Sequence, residues 1–261
     1  MNKKKVSVVL GSGGARGITH IGVLKYLLEN NYEIDEVVGC SIGSLIGAAF
    51  AEGKIDALGE WMSKLTKTDV FRLMDFSNPR FGLLKGDKVL NSLQEVFQDN
   101  KIEDLKIKYS AIATDLINER EVVFREGSIY NAIRASIAIP AVFKGVNVEN
   151  SFLVDGGVLN PLPINHVQNK DNLVIAVNLD GIPTVDSLVD YNRLSSIGIL
   201  TESYRIMRRK LSLLNIQLYK PDFLINIPNN ISGVWDFDRS SYLIDKGYDL
   251  AKQTMIINCK D

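Results

Sequence analysis

Gly39-Cys40-Ser41-Ile42-Gly43 follows the apolar run Val37-Val38 and precedes Leu45-Ile46-Gly47-Ala48-Ala49-Phe50, which sets a serine on a sharp turn between a strand and a helix. A hydroxyl held that way can attack an acyl carbon. Gly39 and Gly43 carry no Cβ, so the chain can fold back on itself and leave Ser41 Oγ clear. Cys40 shares the turn but is not its central residue, so its thiol is expected to point inward. Ser41 is the candidate nucleophile.

A second glycine cluster, Gly11-Ser12-Gly13-Gly14-Ala15-Arg16-Gly17, closes the strand-like run Val6 to Leu10 and opens a helical pattern from Ile18 to Leu28. Backbone N–H groups at such a helix start can hold an anion. A P-loop is excluded, because no Gly-Lys-Ser/Thr follows. The dinucleotide fingerprint fails at one glycine: counted from Gly11 its last position is Arg16, and counted back from Gly17 its first is Ser12. A degenerate version of that loop stays open beside a third choice, the oxygen of a tetrahedral acyl intermediate held by the Gly13 and Gly14 amides. One such donor is worth about 3–4 kcal/mol in the transition state.

The serine also needs a base, and the chain has only two histidines. His20 falls just inside the first helix, where capping or packing against the loop is expected. Ser41, Asp155 and His166 follow the chain order of an α/β-hydrolase triad, although Pro161 and Pro163 crowd the short stretch before His166 and the serine lies on only the second strand. The other candidate is Asp155 acting without a histidine. Phe152-Leu153-Val154 reads as a strand carrying that carboxylate to its end, and Gly156-Gly157 allow another segment to approach closely. A free aspartate, with a pKa near 3.9, is a weak base; burial raises that value, and a positioned base contributes roughly a hundred- to ten-thousandfold.

In order along the chain, the glycine loop with Ile18-Thr19-His20-Ile21-Gly22-Val23-Leu24, the turn at Ser41, the stretch Ala132 to Phe143, and Asp155-Gly156-Gly157 with Asn160-Pro161-Leu162-Pro163 resemble the bacterial patatin-like phospholipases over most of residues 5–180. The resemblance implies a Ser41/Asp155 dyad and an oxyanion hole at Gly13 and Gly14, with Gly11, Arg16, Gly17, Gly39, Gly43, Gly156 and Gly157 as supporting motif positions. It implies a serine acyl hydrolase acting on carboxylic esters of phospholipids or lysophospholipids. Ser12 stands where the family's loop usually has glycine; it keeps its amide, so the hole is expected to survive. No metal-ligand spacing or complete nucleotide fingerprint is present, so no cofactor and no metal are expected. A catalytically idle lipid- or acyl-binding protein on the same scaffold is the reading from another class.

The elements that must position these groups alternate. Strands are predicted at 5–10, 35–39, 107–113, 120–125, 150–154, 173–179 and 222–227, with helices at 17–29, 42–53, 128–138, 187–215 and 239–257 and a mostly helical stretch up to residue 99. Apolar strand cores between helices predict a three-layer α/β/α fold on a mainly parallel sheet, with both catalytic side chains leaving the carboxyl ends of strands. At 261 residues and 46% hydrophobic, one catalytic domain over 1–261 is expected. A net charge of −1 gives no reason to expect nucleic acid. Cys40 and Cys259 cannot build a disulfide framework, and the apolar run after Lys3-Lys4-Lys5 is too short for a signal peptide, so a cytoplasmic location is expected. Val37 to Ala51 is uncharged but falls short of a membrane span.

Two segments bear on access. Phe71, Leu73, Met74, Phe76, Phe81, Leu83 and Leu84, interrupted by Asp75, Asn78, Pro79 and Arg80, read as irregular apolar cover, either packed on the core or a flap that admits acyl chains. Ile197, Leu200, Tyr204, Met207, Leu211, Leu214 and Leu218 alternate at three and four, with Arg205, Arg208, Arg209 and Lys210 on the other face. The expectation is a core-packed helix with a solvated basic face; peripheral attachment to anionic lipid and pairing with a second copy are the alternatives.

Overall fold

In the computed structural model, residues 3–75, 84–183 and 194–257 are described. An eight-stranded sheet contains β1 (Lys4–Leu10), β2 (Tyr32–Cys40), β3 (Lys108–Asp115), β4 (Arg120–Phe124), β5 (Val146–Val148), β6 (Ser151–Asp155), β7 (Leu173–Gly181) and β8 (Phe223–Pro228). Its order is β5-β6-β3-β2-β1-β7-β8, with β4 also on β3. The segment β3-β2-β1-β7-β8 is parallel throughout, while β4 and β6 run antiparallel to β3. Helices are α1 (Thr19–Glu29), α2 (Ile42–Ala51), α3 (Ile55–Ser63), α4 (Lys67–Leu73), α5 (Asp87–Leu93), α6 (Ile129–Ser136), α7 (Ser196–Tyr219) and α8 (Ser240–Ile257).

Alternation along the strands divides the core. Val6, Val8, Leu10 and Val37 join Ile21, Leu24, Ile46 and Leu243, from α1, α2 and α8, in the larger cluster. Val9, Val38, Ile112 and Ala176 face the other way, toward Leu162, Ile164 and Ile216 of α7. Both faces of the central strands are therefore covered, which is why Val6 to Leu10 is continuously apolar apart from Ser7 and wholly buried. Ser7 donates to Glu36 Oε2 at 2.7 Å, so the buried exception is satisfied.

The register of β3 explains how residues far apart in sequence converge. One edge of β3 carries β4 from Ala111 to Asp115. Its other edge carries β2 as far as the pair Cys40–Ile112, and then β6 from the pair Asp155–Ala113 onward. A strand has only two edges, so β2 and β6 run toward each other and meet end to end. Ser41 follows the last residue of one, and Asp155 is the last residue of the other.

Both residues stand at the carboxyl ends of strands, as expected, but β6 is not one of the parallel strands. Asp155 reaches the same edge of the sheet from the opposite direction, because the short hairpin partner β5, absent from the sequence reading, turns the chain around before β6.

A correction concerns α7. It runs from 196 to 219, later than predicted, with Ser195 capping it by accepting the Gly198 amide at 3.1 Å; residues 187–193 of the predicted helix and Cys259 lie outside the described residues. The basic face is not solvated as a whole. Arg208 and Ser212 point into the molecule, and Leu200, Met207 and Leu218 are 71%, 58% and 69% exposed. The polar side faces inward because acceptors await it there: Asn215 donates to Asn160 Oδ1 at 2.8 Å and to the Leu162 carbonyl at 3.1 Å. Among the described residues no helix is long and apolar enough to cross a membrane.

Candidate active site

The turn between β2 and α2 holds Ser41 at φ 57° and ψ −124°, a conformation that side chains other than glycine rarely adopt. Its neighbours leave no room for larger residues. A Cβ on Gly43 would lie 2.1 Å from the Leu10 carbonyl oxygen, and one on Gly39 would lie 2.4 Å from that of Gly43. Three hydrogen bonds fix the turn: Ser41 N–H donates to Ser136 Oγ at 2.9 Å, Ser136 donates in turn to the Ile112 carbonyl at 2.6 Å, and Ser44 Oγ donates to the Ser41 carbonyl at 2.7 Å. Ser136 thus ties α6 to the turn, a role that no sequence pattern marks.

Asp155 is 1% exposed. Its Oδ1 accepts the Gly157 amide at 2.7 Å, while the buried Oδ2 has no hydrogen-bond partner among the described residues. Burial pushes its pKa up, and the Ser41 hydroxyl, the Gly157 amide and the Arg208 guanidinium offset part of that rise. The carboxylate beside the Ser41 turn, brought there by the register of β3, is therefore a stronger base than one in water. Gly156 and Gly157 allow the contact, since a Cβ on Gly156 would sit 2.3 Å from the Ile112 carbonyl oxygen and one on Gly157 would sit 2.9 Å from Ser12 Oγ.

The glycine loop curls beside this pair. The Gly11 amide donates to the Val177 carbonyl at 3.1 Å, that of Ser12 to Pro161 at 2.9 Å, and that of Ala15 to Val234 at 3.0 Å. The Gly13 and Gly14 amides between them make no hydrogen bond among the described residues. Gly17 packs against Ile42, the residue after the serine. His20 braces the loop from below: burial lowers its pKa to about 4, so the ring is neutral and its Nε2–H donates to the Gly11 carbonyl at 2.9 Å.

Other candidates find other partners. His166 Nε2 lies 2.6 Å from Glu121 Oε2 and 3.2 Å from Asn165 Nδ2, and among the described residues it makes no hydrogen bond to Ser41 or Asp155. The Cys40 thiol is fully buried and pushed well above its ordinary pKa by desolvation, the reverse of what a reactive thiolate needs. Arg16 is buried with its guanidinium 3.7 Å from Asp180, at the carboxyl end of β7.

Ser41 and Gly14 open onto a cavity of about 120 Å³ whose other walls, among the described residues, are apolar and include Trp61, Leu65, Val70, Leu73, Phe143 and Trp235. The sequence-flagged cover supplies part of this wall through Leu73, Met74 and Leu84, and Phe71 turns outward. Phe76, Phe81 and Leu83 lie outside the described residues. Asp75 holds the segment in place by accepting the amides of Gly86 at 2.8 Å, Asp87 at 2.7 Å and Lys88 at 3.1 Å, which fixes the start of α5.

A patatin-like phospholipase family model matches residues 8–167. An uncharacterised NTE family protein of Mycobacterium tuberculosis is 41% identical over 178 residues, which cover 68% of this chain and 49% of that protein. Patatin-like phospholipase domain-containing protein 6 of Homo sapiens is 34% identical over 182 residues, covering 67% of this chain and 13% of the other. The chain thus spans about half the length, or less, of these curated relatives. The crystal structure of VipD from Legionella pneumophila superimposes with a TM-score of 0.54 at 14% identity, covering 99% of this chain and 67% of VipD, a likeness of fold.

Proposed function

This chain belongs to the patatin-like phospholipase family, and from that premise we propose that it hydrolyses carboxylic esters of phospholipids or lysophospholipids through an acyl-enzyme on Ser41, with Asp155 as the base. One observation carries the reading: the register of β3 sets a serine on a strained turn beside a buried carboxylate, one oxygen of which has no hydrogen-bond partner among the described residues, and the serine lines an apolar cavity. Ser41 Oγ bonds to the ester carbon as Asp155 takes the hydroxyl proton, and the carbonyl π pair moves to oxygen, where the Gly13 and Gly14 amides receive the charge. Collapse of that intermediate breaks the C–O bond, and the alcohol leaves with the proton from Asp155. Water then repeats the sequence on the acyl-enzyme and releases the fatty acid.

The apolar cavity suits the acyl chain, because burying methylenes contributes about 0.8 kcal/mol each. The test is covalent labelling by a fluorophosphonate, together with mass analysis of phospholipid and lysophospholipid mixtures incubated with wild type, Ser41→Ala and Asp155→Asn. Labelling and fatty-acid release are expected in wild type alone. A wild type that binds acyl lipid yet takes no label and releases no acid would be the idle binder; full activity in either variant would remove the dyad.

A further inference from the structure

Arg208 lies beyond the residues that the family model matches, on a helix read from sequence as presenting its charges to solvent. In the structure its side chain is 13% exposed and reaches the glycine loop, where Nη2 donates to the Ser12 carbonyl at 2.7 Å and to Asp180 Oδ2 at 3.0 Å. The Ser12 carbonyl and the Gly13 N–H belong to one planar trans peptide, so they point in opposite directions. A cation that grips the carbonyl therefore aims the amide. It also draws electron density toward the carbonyl oxygen, which makes the N–H a stronger donor.

The charges around the loop favour the same outcome. Arg16 and Arg208 both face Asp180, and Arg208 also acts on Asp155, so two cations balance two buried carboxylates; once Asp155 has taken the hydroxyl proton, one positive charge is left over beside the place where the oxyanion develops. We propose that Arg208 is a positioning residue that orients the Gly13 amide toward the oxyanion by holding the Ser12 carbonyl. The proposal rests on the reading above, in which Ser41 is acylated and Gly13 donates to the intermediate. The Gly11 and Ser12 amides, bonded to Val177 and Pro161, fix the peptides before this one and leave its plane to Arg208.

The experiment uses the full chain with a soluble p-nitrophenyl ester and an alkyl trifluoromethyl ketone, whose adduct with a serine is a tetrahedral oxyanion. Arg208→Gln is expected to lower kcat about ten- to hundredfold with KM within about twofold, and to weaken ketone inhibition by the same factor, a part of the roughly hundred- to thousandfold that outright loss of one oxyanion donor costs. Arg208→Lys should recover part of both and carries the same test if Arg208→Gln does not fold. A purely structural role would lower melting temperature and active fraction without coupling kcat to ketone affinity. Unchanged kcat, or a loss of kcat with ketone affinity intact, overturns the proposal. Ser41→Ala run alongside separates the two levels: an active Ser41→Ala refutes the dyad itself, whereas an inert Ser41→Ala beside an unaffected Arg208→Gln refutes only the role of Arg208.

Discussion

Two variants that both lack the hydroxyl isolate the strain stored at residue 41. In Ser41→Ala the Cβ remains at φ 57° and ψ −124°, and a side chain held in such a region costs about 1–3 kcal/mol. Ser41→Gly removes that cost, because this conformation mirrors an extended one and glycine adopts both hands. Glycine also frees the unfolded chain, which takes back about 0.4–1 kcal/mol. The balance favours the glycine variant by roughly 0.5–2 kcal/mol, or about 1–8 °C in melting temperature for a chain of this size. Urea titration and differential scanning calorimetry on the pair measure it directly, with both proteins inactive toward esters. A glycine variant no more stable than the alanine variant would show that the turn is relaxed and that its geometry has another cause.

Burial raises the Asp155 pKa, and a base works only when deprotonated, so kcat/KM should fall in acid through a midpoint above the ordinary carboxylate value near 3.9; a midpoint at or below about 4 refutes the assignment. The same shift bears on stability: the folded state holds this proton more tightly than the unfolded state, so its contribution is present below the unfolded pKa and lost as pH rises through the folded one. Asp155→Asn should therefore melt above wild type at pH 7, and by less as pH approaches 4; a lower melting temperature at pH 7 would contradict the burial argument. Leu73→Trp should reduce cleavage of long acyl esters more than short ones, and an unchanged chain-length profile would place the acyl chain elsewhere. His166→Ala should keep turnover within about threefold, because its ring is engaged by Glu121; a loss matching that of Ser41→Ala would restore the triad.

The central strands were legible because both of their faces are covered, which leaves unbroken apolar runs, and Ser41 was legible because the change from such a run to a helical one brackets it. The direction of β6 was not. Its partner β5 has three residues, none fully buried, too short and too wet to leave a periodic signal. For α7 the spacing revealed two faces but not which one turns inward; the rule that apolar faces seek the interior fails here because the Ser12 carbonyl, Asp180 and Asn160 require polar partners. Ser136 and Arg208 escaped because a serine or an arginine within a helix looks like any other until its acceptor is known.

The end-to-end meeting of β2 and β6 makes β3 a ruler for the two reactive groups. The loops between α2 and β6 can be lengthened or shortened without moving their separation, provided β3, the turn from Ser41 to Ser44 and Ser136 of α6 are kept, because the register on β3 sets the distance. One residue added within β6 is a different matter. It turns Asp155 to the opposite face of the sheet and shifts the strand end by about 3.4 Å. Insertion scanning across the chain should accordingly find wide tolerance in the loops and abrupt loss of turnover at the tips of these two strands, a map of where this scaffold accepts new sequence and where it does not.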